Sequence, residues 1–450
     1  MELSNQDTIV KQEMEEIYQD RKFFGHPRGL AVLGTGNLCN SIAWAAFYAV
    51  FIYYLYAPFA KGLGFTEGQA TSILAAMGVC NSLFGIVGSW LADRVLGMRS
   101  ALILGNATKA LGFGLLAIPV ANIEQGRILM FAALMFLCMP LMGSSNASLT
   151  AQLYHRNDDS RRDAAFTFHN IFNSLGGLLA PVVVGNLSMP NYHLGFGVAA
   201  FFAALYGACI LVFSKKFFKS LGRRPANPIT KEEMKKLVLV AGTVVIVLAA
   251  AISYGLLTNS ITFNKLLSLI TTMAFIIPLM FFAKLFSNKQ FTKGEKEKFK
   301  PMRKLLLAQI VQCIVWAVTG PAILMYTDLK LDRTFMGIEF APATFVSIGA
   351  AFALIFNPIA TYLWTSTAFG KKIRSLTKMS LGFGLGSVTF FIIPLSLLLS
   401  NGKVNPLWYI ACLLIDNFPG AVGGPSGISL MAKLAPKSYD TQIQTAWGQC

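Results

Sequence analysis

Gly88-Ser89-Trp90-Leu91-Ala92-Asp93-Arg94-Val95-Leu96-Gly97-Met98-Arg99 confines one acid and two arginines to a short step between apolar runs at 70–91 and 100–120. Each run has about the 20 apolar residues needed to cross a hydrocarbon core roughly 30 Å thick. The charged step is therefore read as a turn outside a bilayer joining two helical spans. Applied outward, the same test predicts spans at 29–56, 70–91, 100–120, 128–150, 164–187, 194–214, 237–258, 266–286, 303–327, 342–366, 377–399 and 406–434. Another begins near Thr441-Gln442-Ile443, and on this count the chain is expected to be incomplete at its C-terminus.

Of the 450 residues, 54% are hydrophobic and only 13% charged, against about 25% charged in a soluble domain. The expectation is an all-α polytopic membrane protein. A net charge of +17 would suggest nucleic acid in a soluble chain, but here the cations fall in alternate connections, where they orient spans. No nucleic-acid partner is expected. The seven cysteines lack metal-ligand spacing and nearly all lie within apolar runs, so neither a disulfide framework nor a metal site is expected. No cofactor is called for either. Gly34-Thr35-Gly36 lies inside an apolar span and is too short for a phosphate cradle, and no nucleophile–base pattern emerges, so the chain is not expected to be an enzyme.

Charge orients the layout. Arg94 and Arg99; Arg156, Arg161 and Arg162; 215–236; 284–304; Lys371 to Lys378; and Lys433 with Lys437 all fall on one side when 237–258 and 266–286 form a transmembrane hairpin. By the positive-inside rule that side, and the N-terminus, face the cytoplasm. The expected domains are a cytoplasmic segment 1–28, a six-helix bundle 29–214, linkers and hairpin 215–302 with the hairpin near 237–286, and a second bundle 303–450.

Six spans, a basic connection and further spans resemble the major facilitator fold, in which two bundles enclose a site near the bilayer midplane. The Gly88 to Arg99 run is similar to the loop between that fold's second and third spans, and Asp93, Arg94 and Arg99 are its gating motif. More specifically, Phe23-Phe24-Gly25-His26-Pro27-Arg28-Gly29-Leu30, Arg161 to Thr167 with Leu175 to Pro181, Asp328 to Arg333, Pro342 to Trp364 and Pro425 to Pro436 resemble the proton-coupled oligopeptide transporter (peptide transporter, PTR) family. The resemblance covers nearly the whole chain. It implies alternating-access transport of di- and tripeptides or similar zwitterionic solutes with proton symport, in the cell membrane, by a monomer.

Departures from the family pattern are equally specific. Where members carry Glu-x-x-Glu-Arg in the first span, this chain has Asn37, Asn40 and Ser41. Amides and a hydroxyl hydrogen-bond a substrate but exchange no proton near neutral pH. A fourth-span lysine of the family falls near Gly143 or Ser144, and a tenth-span glutamate at Gly420.

The polar groups left inside the spans define the candidate site, because a charge there costs at least about 2.5–3.5 kcal/mol. Asp416, beside Asn417 and one helical turn before Gly420, is either a coupling or binding carboxylate or a structural partner, for instance of Lys109. Lys109 itself is expected to snorkel toward the membrane surface. His169 shares a face with Asn173 and adjoins Asn170; its imidazole either carries the proton or is a hydrogen-bonded structural group. Asn146 and the seventh-span set Gln309, Gln312 and Trp316 complete the expected cavity lining. Three readings stay open: a peptide transporter, a transporter or uncoupled exchanger of another small solute, and a transport-inactive sensor or scaffold.

Overall fold

A computed structural model of the chain describes residues 2–139, 145–155, 159–225, 228–230, 232–235, 293–335, 337–365, 375–400 and 402–418, with a few isolated positions at 239, 272, 367–368 and 372–373. The expected hairpin near 237–286, the Gly143, Ser144 and Gly420 positions and the 425–436 stretch lie outside the described residues.

The described elements are helices in nearly every case: α1 (Glu2–Gln19), α2 (Arg28–Tyr56), α3 (Glu67–Leu91), α4 (Met98–Ala117), α5 (Ile123–Leu137), α6 (Ser145–Gln152), α7 (Asp159–Ser188), α8 (Tyr192–Phe217), α9 (Lys293–Leu329), α10 (Pro342–Thr365), α11 (Ser375–Gly386), α12 (Thr389–Leu399) and α13 (Pro406–Phe418). Six described stretches are long and apolar enough to cross a membrane. Their starts follow local chemistry. Thr66 Oγ1 accepts from the Gln69 N–H at 3.2 Å while Gln69 Oε1 accepts from the Thr66 N–H at 3.1 Å, a reciprocal capping box at the head of α3. Asn122 caps α5 by accepting from the Gln125 N–H at 2.8 Å. The run expected to span 128–150 is described as α5 and α6 on either side of 140–144.

Exposure patterns fit a lipid surround. On α8, Phe201 and Leu211 are each 61% exposed, and on α12 Leu398 is 82% exposed. Apolar side chains left open on that scale suit a surround that is itself apolar.

The chain divides into two compact units, one of residues 1–43, 55–172 and 196–275, the other of 44–54, 173–195 and 276–450. Both α2 and α7 pass through the two. The first unit packs Leu30, Leu33, Leu102, Leu149, Leu153, Tyr206 and Phe218 into one buried core. The second centres on Tyr326, Leu331, Tyr409 and Leu413. Tyr326 also bonds the Ser396 hydroxyl at 2.7 Å.

Two turns in the first unit explain motifs seen in the sequence. Phe23 pairs with His26 across Phe24 and Gly25, whose φ values of +48° and +82° are those of a tight primed turn. Arg161 holds the turn by donating to the carbonyls of Tyr18, Asp20 and Gly25. Beyond α3, Ala92–Leu96 forms a π-helical turn closed by the Gly97 N–H on the Ala92 carbonyl at 2.9 Å. The turns following α8 then clasp the gating motif. Arg99 donates to the carbonyls of Leu221 and Lys219, and its own N–H reaches the Gly222 carbonyl at 3.0 Å. Arg94 pairs with Glu233 at 3.3 Å. The Asp93 side chain lies outside the described atoms.

In the second unit a short hairpin, β1 (Thr334–Phe335) with β2 (Ile338–Glu339), connects α9 to α10. Arg333 pins it through Glu339 at 2.9 Å, Asp328 at 3.7 Å and the Phe340 carbonyl at 3.2 Å.

Candidate substrate-binding site

Span α2 brings Asn37 and Asn40 to one face, three residues apart. Two glycines just before them let other helices close in. A Cβ at Gly34 would lie 2.8 Å from the Phe172 ring of α7, and one at Gly36 would overlap the Tyr206 ring of α8. The Gly34-Thr35-Gly36 run, dismissed as a phosphate cradle, thus serves helix packing.

Around that approach the first unit gathers polar groups from α2, α4, α6, α7 and α8. Asn37 Nδ2 donates to the His169 carbonyl at 2.8 Å. Lys109 Nζ donates to Asn40 Oδ1 at 2.5 Å. Asn146 Nδ2 donates to the Tyr206 hydroxyl at 2.5 Å. Thr150 donates its hydroxyl proton to the Asn146 carbonyl at 2.9 Å and lies 2.7 Å from His169 Nε2. With its one proton so used, Thr150 must accept from Nε2–H, which assigns the proton of the neutral ring to Nε2 and leaves Nδ1 to take a second. Asn146 Oδ1 is buried with no hydrogen-bond partner among the described residues.

This arrangement differs from the expectation for Lys109. It does not snorkel: only 6% of it is exposed, and its ammonium is turned to Asn40. Hydropathy sets how deep a residue lies along a span but not which neighbour its side chain meets. Lys109, Thr150 and Tyr206 are therefore members of the cluster that sequence reasoning missed. The sole hint was an ionisable residue well inside an apolar run.

The other candidates fall in both units. His169 is buried in the first unit, whereas Asn173, one turn later on α7, is exposed in the second. Ser41 is buried, and Gln309 on α9 and Asp416 on α13 are half-buried. Asn417 Nδ2 donates back to the Leu413 carbonyl of its own helix at 2.9 Å. The side chains of Asn170, Gln312 and Trp316 lie outside the described atoms.

The second unit contains a contact no motif announced. Asn186 on α7 accepts the Ala341 N–H at 3.2 Å and donates to Thr344 Oγ1 at 3.1 Å, capping the head of α10. A Cβ on Gly185 would lie 2.8 Å from that of Ala343. Tyr53 on α2 donates to the Leu324 carbonyl of α9 at 3.3 Å. Segments preceding residue 215 are thus bonded to segments beyond 302.

Apolar spans that enclose hydrogen-bonded amides, a lysine and a histidine make a polytopic membrane protein, and its fold is matched by that of major facilitator transporters. The PTR2 family profile, described as the POT family, matches residues 99–449, and the chain belongs to that family. It is 31% identical over 434 residues to the uncharacterized transporter YclF of Bacillus subtilis strain 168, covering 94% of this chain and 85% of the relative. It is 28% identical over 449 residues to a di-/tripeptide transporter of Lactococcus lactis subsp. lactis strain IL1403, covering 95% of this chain and 87% of that one. A crystal structure of a peptide transporter POT in complex with sulfate superposes with a TM-score of 0.90 at 28% identity, over 98% of this chain and 89% of that chain.

Proposed function

We propose that this chain carries di- and tripeptides across the cell membrane by alternating access, with its N-terminus in the cytoplasm. The observation that carries the reading is likeness along almost the whole length to a di-/tripeptide transporter, at 28% identity over 95% of this chain. A six-helix bundle at 29–214, a hairpin near 237–286 and a second bundle at 303–450 work as a monomer. The hydrogen-bonded amides of the first unit suit a substrate whose own groups are amides and charged termini.

Proton symport accompanies transport, through Asp416 or His169. His169 is a titratable group within the polar cluster of the first unit, bonded to Thr150 through Nε2. The test is uptake of a di- and tripeptide panel into liposomes at two pH values. Accumulation driven by an imposed proton gradient, lost in Asp416→Asn or His169→Gln, is the expected result; gradient-driven uptake retained in both variants removes the coupling assignment.

A second reading, transport of a different small solute or uncoupled exchange, is favoured by one observation: uncharged Asn37, Asn40 and Ser41 stand where the family pattern has acids and an arginine. Dipeptides that fail to compete with uptake of the true solute would select it. A scaffold would show neither uptake nor ligand-dependent thermal stabilisation.

A further inference from the structure

We propose that Lys109 is a positioning residue that fixes the amide of Asn40 so that its Nδ2 protons are presented to an oxygen acceptor of the substrate; the inference rests on the peptide reading above. An ammonium has protons to give and no lone pair to accept with. Beside Lys109 Nζ, 2.5 Å away, Asn40 can therefore show only its carbonyl oxygen. The amide is held in one of its two orientations, with Nδ2 directed away from the lysine. Asn40 is half-buried, so the residue is not sealed into the core.

Asn37 is oriented the opposite way by the same logic. The His169 carbonyl can only accept, so Asn37 turns Nδ2 toward it at 2.8 Å and leaves Oδ1 as an acceptor. Two asparagines three residues apart on α2, identical in composition, thus present opposite faces: an acceptor at 37 and a donor at 40. In an extended peptide the N–H and C=O of one residue point to the same side, which is the complement of this pair. The lysine also polarises the Asn40 amide through its carbonyl, making the N–H a stronger donor toward a carbonyl or carboxylate oxygen.

Full-length protein in liposomes tests the proposal with Ala-Ala as probe. Lys109→Met releases the amide and is expected to raise KM roughly ten- to a hundredfold, the range of one charge-assisted hydrogen bond, and to raise it more than it lowers the maximum rate. Asn40→Asp keeps a partner for Lys109 but has no N–H to present, and is expected to lose affinity to the same extent. In an Asn40→Leu background, Lys109→Met should have no further effect on KM, a non-additivity that a purely structural lysine would not show. N-ethylalaninamide, which lacks the carboxylate, identifies the oxygen: equal sensitivity of both probes to Lys109→Met assigns the peptide carbonyl, and sensitivity of Ala-Ala alone assigns the carboxylate. Wild-type KM for Ala-Ala in Asn40→Asp, or an undiminished Lys109→Met effect without Asn40, overturns the proposal while leaving peptide transport standing. Absence of any Ala-Ala uptake by the wild-type protein overturns both.

Discussion

Gly36 on α2 lies against the ring of Tyr206 on α8, with no room for a methyl group between them. Tyr206 is fully buried and its hydroxyl receives the Asn146 amide. The glycine therefore has a packing cause, and it sets the spacing of α2 and α8 within the polar cluster.

Gly36→Ala is expected to destabilise the protein by at least about 1–3 kcal/mol, the cost of overpacking a filled core. Gly68, where a Cβ would meet nothing within 4 Å, serves as the control. Thermal unfolding in detergent checks this: a melting temperature for Gly36→Ala equal to that of Gly68→Ala would show that the two helices part freely.

The two arginines of the α3–α4 step should differ sharply. Arg99 is 6% exposed and donates to two carbonyls of the 219–221 turn. Removing it leaves the Leu221 and Lys219 carbonyls without a charged donor, worth about 1.5–3 kcal/mol for each such bond. Arg94 forms a solvent-accessible pair with Glu233, a kind worth about 0–1 kcal/mol. Denaturation of Arg99→Ala and Arg94→Ala side by side should give the larger loss to Arg99, and the reverse order would contradict the clasp.

Asp20 links acid stability to the entry of α2. Burial raises its carboxyl pKa, but the Arg28 side chain at 2.9 Å, the Arg28 N–H and the Lys22 N–H outweigh that and hold it below the ordinary value. A carboxyl depressed in the folded state adds stability above its unfolded pKa of about 3.9, and that stability is lost as pH falls through the lower folded value. Because Arg28 is substantially exposed, the effect is no more than about 1 kcal/mol. Asp20→Asn should lower stability near neutral pH and flatten its dependence below pH 4; an unchanged acid profile would count against the Asp20–Arg28 link.

The α7–α10 contact should be sensitive to bulk. Gly185→Val introduces side-chain atoms where even a Cβ lies 2.8 Å from that of Ala343, and Asn186→Ala deletes the cap on Ala341 and Thr344. Both are expected to weaken the contact, Gly185→Val more. A cysteine pair across α7 and α10 would report this as slower cross-linking, and cross-linking at the wild-type rate in both variants would refute it.

What the sequence determined was whatever depends on a residue and its near neighbours. Apolar length defined the helices, so the expected 29–56 and 342–366 agree with Arg28–Tyr56 and Pro342–Thr365 to within a residue. Charged turns, capping pairs and the family motifs are local in the same sense. Only the tertiary structure decided which side chains meet. Lys109 reaches Asn40 across 69 positions and Asn37 reaches His169 across 132, separations that no helical period encodes. Periodicity says that two residues share a face, as it did for His169 and Asn173, but the burial of one and exposure of the other follow from the helices packed alongside. For the same reason, an amide's orientation is invisible in the sequence and set by the donor or acceptor opposite it.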